Sequence, residues 1–153
     1  IVHQVLFGEL LFQLSAYIKE KGGSCIPAVS PLDVQLDRDE RTMVQPDLII
    51  LCDHDKLRES VVYGAPDFVT EILSPATRRR DMCLKLAKYA GAGVREYWMI
   101  DPDREKIVVY DLEGDELPQV YGFRDQVPVA VFAGDCRIDF AVIDDYVRGL
   151  IRV

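Results

Sequence analysis

The amino-acid sequence predicts an α/β (α+β) fold in which a mixed central β-sheet is flanked by helices. Three observations carry this expectation. Apolar residues recur at helical spacing near the start, in the middle and at the end of the chain. Between them lie short runs such as Leu48-Ile49-Ile50-Leu51, apolar throughout, as strands buried on both faces are. The order of helix, strands, helix, strands builds one layered core. At 153 residues the chain has the size of one domain and can bury a core without a staple, so residues 1–153 are expected to form a single domain.

Each element follows from local pattern. In residues 2–21, Leu6, Leu10, Leu14 and Tyr17 form one helical stripe flanked by Phe7, Leu11 and Ile18, and Gly22-Gly23 ends it. Residues 25–29 and 32–36 read as short strands separated by Ser30-Pro31. Residues 44–52 and 67–73 read as buried strands with a polar, partly helical connection over 53–63. Ser74-Pro75 breaks the second, and Thr77 is placed to cap a helix over 78–92 that Gly91 and Gly93 terminate. Residues 96–100 and 106–112 form a hairpin around Asp101-Pro102-Asp103. Short strands are expected at 119–121, 127–131 and 136–138, and residues 140–151 form a closing amphipathic helix. The chain opens inside a helical pattern, which predicts further residues before Ile1.

Hydrophobic residues make up 49% and charged residues 29%, a globular composition that excludes disordered and low-complexity classes. The net charge of −8 excludes nucleic-acid binding through bulk charge, so any such contact needs a local basic patch. Four cysteines, Cys25, Cys52, Cys83 and Cys136, form no CxxC pair, and only two histidines could join them, which argues against zinc. No membrane span or signal peptide is visible. A reduced, cytoplasmic protein with free thiols is expected.

Three residues break local rules. Asp47 opens an apolar strand after Pro46. Glu71 sits inside a buried strand, where a charge is costly without compensation. On the following helix Met82, Leu86, Tyr89 and Gly93 define the inward stripe. Lys85 lies about 60° from Met82 and close beside Tyr89, at the edge of that stripe. A helix that directly follows a strand packs back over the sheet, so Lys85 can reach the strand of Glu71. Two carboxylates and a lysine suit metal-assisted phosphodiester hydrolysis. Mg²⁺ (or Mn²⁺) takes one or two carboxylates, and an amine can hold the attacking water or stabilise transition-state charge.

The blocks Gln45-Pro46-Asp47-Leu48-Ile49-Ile50, Ala65-Pro66-Asp67-Phe68-Val69-Thr70-Glu71-Ile72-Leu73-Ser74-Pro75, Arg80-Asp81 with Lys85 and Tyr89, and Gly93-Val94-Arg95-Glu96-Tyr97-Trp98-Met99-Ile100-Asp101-Pro102 together resemble the Uma-two family of the PD-(D/E)XK nuclease superfamily. The resemblance spans nearly the whole chain and implies a restriction-endonuclease-like fold and a metal-dependent DNA endonuclease. Asp47 then matches the aspartate of the PD element and Glu71 the acid of (D/E)XK. The resemblance adds the backbone carbonyl of Ile72 to the metal ligands. It also puts a lysine at position 73, where this chain has Leu73, and suggests that the function has moved to Lys85.

Further candidates surround this core. Arg78, Arg79 and Arg80 oppose the dipole of the helix they open, a local cost that favours phosphate binding, with Lys88 alongside. Glu9, on the first helix, is a candidate additional acid of the kind some nucleases of the superfamily carry. The expected partners are DNA and a second copy of the chain, since a two-fold pair suits two antiparallel strands. Two other readings stand beside the endonuclease. One is an inactive nuclease-like binding module, favoured by Leu73 and the net charge. The other is a metal-dependent hydrolase of a small phosphorylated substrate.

Overall fold

A computed structural model describes residues 1–37, 42–75 and 79–151, with residues 79–81 as backbone only. Helix α1 spans Val2–Glu20, α2 Arg79–Ala92 and α3 Phe140–Ile151. The main sheet uses β1 (Ile26–Val29), β4 (Leu48–Leu51), β6 (Phe68–Ile72), β7 (Glu96–Asp101), β8 (Lys106–Asp111) and β9 (Gln119–Gly122), hydrogen-bonded in that order. Only β6 and β7 run parallel in it, and the chain between them is α2. The other neighbours are antiparallel, which makes the sheet mixed, as expected. A small sheet joins β2 (Val34–Gln35) to β3 (Met43–Val44) and β5 (Val62–Tyr63), and a two-stranded ladder joins β10 (Gln126–Pro128) to β11 (Arg137–Asp139).

The main sheet has two differently used faces. On one, Leu6, Leu10, Leu14 and Ile18 of α1 pack with Phe140 and Ile143 of α3 against Leu48, Ile50, Phe68, Ile72 and Trp98. Each such fully buried side chain contributes about 1.5–3 kcal/mol. On the other, Met82 and Tyr89 of α2 pack on Ile49, Leu51, Val69 and Tyr97, beside Val34 and Val62 of the small sheet. Strand alternation therefore turns Glu71 toward α2 and its neighbours Thr70 and Ile72 toward α1.

Four details depart from the sequence expectation. The run over 44–52 is divided: Met43–Val44 pairs with β2, and the main-sheet strand begins only at Leu48. Pro46, which has no N–H to give a ladder, lies at the break. Within the connection over 53–63, His54–Lys56 forms a turn of 3-10 helix and Val62–Tyr63 a strand. The strand expected over 127–131 gives way to a 3-10 turn at Ala130–Phe132. There the fully buried Glu96 accepts from the N–H groups of Ala130 (3.0 Å) and Val131 (2.9 Å), and from Trp98 Nε1 (2.8 Å). Finally, Cys25 and Cys52 are not free thiols but a disulfide. Ile26 pairs with Leu51, so the next pair outward is Cys25 and Cys52, with Cα atoms 4.0 Å apart. Cys83 and Cys136 are free. Disulfides are common in oxidising compartments, so the cysteines do not support the cytoplasmic expectation. No helix among the described residues is long and apolar enough to cross a membrane.

Glu96 ties β7 to the 3-10 turn through three donors. Glu96→Gln turns an amide NH₂ toward those donors and removes the charge that rewards them. It is expected to cost about 1–3 kcal/mol, read as a lower urea midpoint with an unchanged m-value.

Candidate active site

Asp47 and Glu71 meet at the end of the β4–β6 ladder. Leu48 pairs with Thr70, so the next position outward sets Asp47 opposite Glu71. The Asp47 backbone is fixed by Ser30, whose N–H donates to its carbonyl at 2.9 Å. Its side chain caps the exposed end of β6: Ile72 N–H donates to Asp47 Oδ2 at 2.7 Å. This is the N–H that a longer β4 would have taken. Because β4 stops short, the amide of the residue after Glu71 holds the Asp47 carboxylate beside it.

Glu71 is 5% exposed, and its two oxygens have separate partners from one turn of α2. Tyr89 Oη donates to Oε1 at 2.6 Å and Lys85 Nζ to Oε2 at 3.4 Å. Residues four apart stack on one helix face, so one docked helix delivers both groups. Burial pushes the Glu71 carboxyl above its ordinary pKa. The Tyr89 hydrogen bond and the Lys85 charge pull it down, and the Asp47 charge pushes it further up. The Tyr89 phenol is pushed well above its ordinary value by burial and then by Glu71, so it keeps its proton and acts as a donor. The Lys85 side chain is 37% exposed and lies between the buried carboxylate and solvent.

A second tyrosine lines this face. Tyr97 on β7 is fully buried, with its ring centroid 5.0 Å from that of Tyr89. Burial, then the charge of Glu71, raise its pKa, and Asp47 adds to the effect.

The structure thus brings together Asp47, Glu71 and Lys85, with Ile72 entering through its N–H. Lys88 is exposed on α2, three residues beyond Lys85. Arg79 and Arg80 open α2, but their side chains, like the whole of Arg78 and the proposed cap Thr77, lie outside the described residues. Glu9 is not brought to this face. Its helix covers the opposite side of the sheet, and Gln13, one turn on, bonds the backbone of Asp139. Sequence reasoning missed Tyr89 and Tyr97 as polar members of the site. Tyr89 reads as part of the inward stripe of its helix and Tyr97 as part of a strand, and both rings are core; only the shared turn of Lys85 and Tyr89 pointed to the Tyr89 hydroxyl.

The donor set fits a hard divalent cation. Asp47 and Glu71 offer carboxylate oxygens from adjacent strands, and Mg²⁺ commonly takes one or two and keeps several waters. Among the described residues no group of three or more His, Cys, Asp or Glu side chains converges to form an all-protein cage.

The family model Uma2, described as "Putative restriction endonuclease", matches residues 1–141. No curated protein matches the chain. Among solved structures, the crystal structure titled as a putative nuclease belonging to DUF820 from Anabaena variabilis superposes with a TM-score of 0.78. The superposition covers 96% of this chain and 82% of that one at 19% identity. At that identity the likeness is one of fold, and it agrees with the helix-flanked mixed sheet.

The buried carboxylate makes two stability predictions. A folded-state pKa above the unfolded value means that the folded protein binds the extra proton. The contribution of Glu71 to stability is therefore best below the unfolded pKa and is lost as pH rises through the folded one. Glu71→Gln removes this pH dependence, so the stability of the variant relative to wild type is expected to be higher at pH 8 than at pH 4. Tyr89→Phe keeps the packed ring but leaves Oε1 without its donor. It should cost about 1–3 kcal/mol at pH 8, with the penalty shrinking as Glu71 protonates. Urea titrations at the two pH values check both signs.

Proposed function

Since the chain belongs to the Uma2 family of restriction-endonuclease-like proteins, we propose that it is a Mg²⁺- or Mn²⁺-dependent DNA endonuclease hydrolysing phosphodiester bonds. The observation that carries this reading is the convergence of Asp47 and Glu71 from adjacent strands, with Lys85 Nζ 3.4 Å from Glu71.

Asp47 and Glu71 would hold the cation, with the Ile72 carbonyl as the third ligand that family resemblance implies. The bound ion supplies neutralisation of phosphate charge and a bound water of lowered pKa. The protein's own groups do the rest. Ile72 N–H and Tyr89 Oη orient one oxygen of each carboxylate; the ion would take the other oxygen of Asp47 and share Glu71 Oε2 with Lys85. Lys85, at the solvent edge, donates to the attacking water or to the phosphate oxygen that gains charge. Arg78, Arg79, Arg80 and Lys88 provide the local positive charge that a chain of net charge −8 needs to hold a DNA backbone. A homodimer would present two such sites to two strands.

A second reading has its own support. Leu73 packs against the α2-face core where the superfamily pattern puts lysine, which suits a nuclease-like module that binds without cutting.

Cleavage of plasmid DNA with Mg²⁺ or Mn²⁺ separates these readings. Asp47→Asn and Glu71→Gln should abolish it. Lys85→Ala should keep fold and metal binding but lower kcat by about 10²–10³, roughly 2.7–4 kcal/mol, because its charge matters most in the transition state. Wild-type inactivity across metals and DNA forms replaces the enzyme with the module, and activity confined to small phosphate esters replaces the substrate. Replacing Arg78, Arg79 and Arg80 together by alanine should flatten the salt dependence of DNA binding, by about 0.9 in log–log slope for each phosphate that the arginines no longer neutralise.

A further inference from the structure

We infer that the Tyr97 hydroxyl is a positioning group of the carboxylate site, accepting a hydrogen bond from a water that a bound divalent cation keeps. The inference rests on the reading of Asp47 and Glu71 as the carboxylates that hold that cation.

Its basis is the placement of an orphaned polar atom. Tyr97 pairs with Val69 in the parallel β6–β7 ladder, and Glu71 pairs with Met99. Tyr97 and Glu71 therefore lie diagonally across adjacent strands, on the face that α2 covers. The ring is held between Tyr89, at 5.0 Å between centroids, and Tyr110, at 6.1 Å. At 0% exposure the side chain has no path to bulk water. Yet among the described residues its hydroxyl has no hydrogen-bond partner. An unpaired buried hydroxyl costs about 1–3 kcal/mol, and such groups are rare. The Glu71 carboxylate on this face accepts from Tyr89 and Lys85 and makes no hydrogen bond to Tyr97.

The chemistry of the missing partner follows from that of the phenol. At ordinary pH it meets any ligand as a neutral hydroxyl with a free oxygen lone pair that can accept a hydrogen bond. A cation held by Asp47 and Glu71 points the protons of its waters outward, toward surrounding acceptors. A fixed phenol oxygen on the same face is such an acceptor. Groups that hold a metal's shell in this way typically change metal affinity about 10–100-fold when removed.

Thr70 provides a built-in control. Its Oγ1 is the other buried hydroxyl without a partner among the described residues, but strand alternation puts it on the α1 face, away from the carboxylates.

The test is Mn²⁺ titration by calorimetry, with the Tm of each metal-free protein measured in parallel. The wild-type protein should bind, Asp47→Asn should lose binding, and Thr70→Val should bind as wild type. Tyr97→Phe should raise Kd by about 10-fold or more, while its metal-free Tm stays level or rises, because an orphaned group has been removed. If Tyr97→Phe binds Mn²⁺ like wild type while Asp47→Asn does not bind, the inference falls and the cation site stands. A metal-free Tyr97→Phe protein of clearly lower Tm assigns the hydroxyl to the fold and also overturns the inference. If wild type takes up no Mn²⁺, or Asp47→Asn takes it up equally, the cation site and the inference fall together.

Discussion

The charge of Glu71 is the constraint around which this face of the molecule is arranged. A carboxylate at 5% exposure in the middle of a sheet is expensive, and burial alone would favour its protonated form. Two groups from one helical turn answer that cost. Tyr89 supplies a short hydrogen bond from a phenol that stays protonated, and Lys85 supplies the opposite charge. Neither can do so unless α2 docks on the sheet, and α2 docks through Met82 and Tyr89 itself. The packing that makes the helix cover the sheet and the polar contacts that make the carboxylate tolerable are therefore formed together. Because Lys85 is partly exposed, its attraction is screened, and the Tyr89 bond is the sturdier of the two.

The two faces of the sheet handle buried acids differently. On the α1 face, Glu96 is wrapped by three donors and has no charged partner in hydrogen-bonding contact among the described residues, a satisfied group that ties β7 to the turn at Ala130–Phe132. On the α2 face, Glu71 and Asp47 stand beside one another, and the charge of Asp47 raises the cost of ionising Glu71. Asp47 has a structural task of its own in capping Ile72 N–H, yet its charge adds to the cost of ionising Glu71. Perturbed carboxylates of this kind cluster at functional sites, and structural networks hold them too.

The sequence exposed the site where it broke a local rule. Glu71 was legible because an acid interrupts an apolar strand, Asp47 because Pro46 turns a run of strand residues into a strand start, and Lys85 because helical phase sets it beside Tyr89. The long elements were legible for a related reason: α1, α2 and α3 each carry a repeating stripe, and Leu6, Leu10, Leu14 and Ile18 are buried as a stripe predicts. Features that depend on register were hidden. Nothing local says that Cys25 faces Cys52 across 27 residues, since that follows from Ile26 pairing with Leu51. The two-residue strands of the small sheet are too short for any period to show. Tyr89 and Tyr97 were hidden for a third reason. An aromatic ring in a core stripe explains itself by packing, and the sequence does not say where the hydroxyl points.

A lysine that reaches Glu71 from the helix depends on different contacts from one placed on the strand. A lysine at position 73 would follow Glu71 on the same strand, and both would be aligned by the same ladder whatever the helix did. Here Leu73 contributes to the apolar contact under α2, and the amine arrives from above on the helix. Its position relative to Glu71 is set by side-chain packing rather than by backbone hydrogen bonds. Any shift of α2 would then move Lys85 and Tyr89 together, uncovering both oxygens of Glu71 at once. The same contacts that hold the carboxylate also hold α2, so any ligand of Glu71 Oε2 would have to displace or share the Lys85 contact and would act on the helix as well as on the acid. Docking of α2 and burial of the Glu71 carboxylate are thus energetically linked, in a way that a lysine on the strand would not impose.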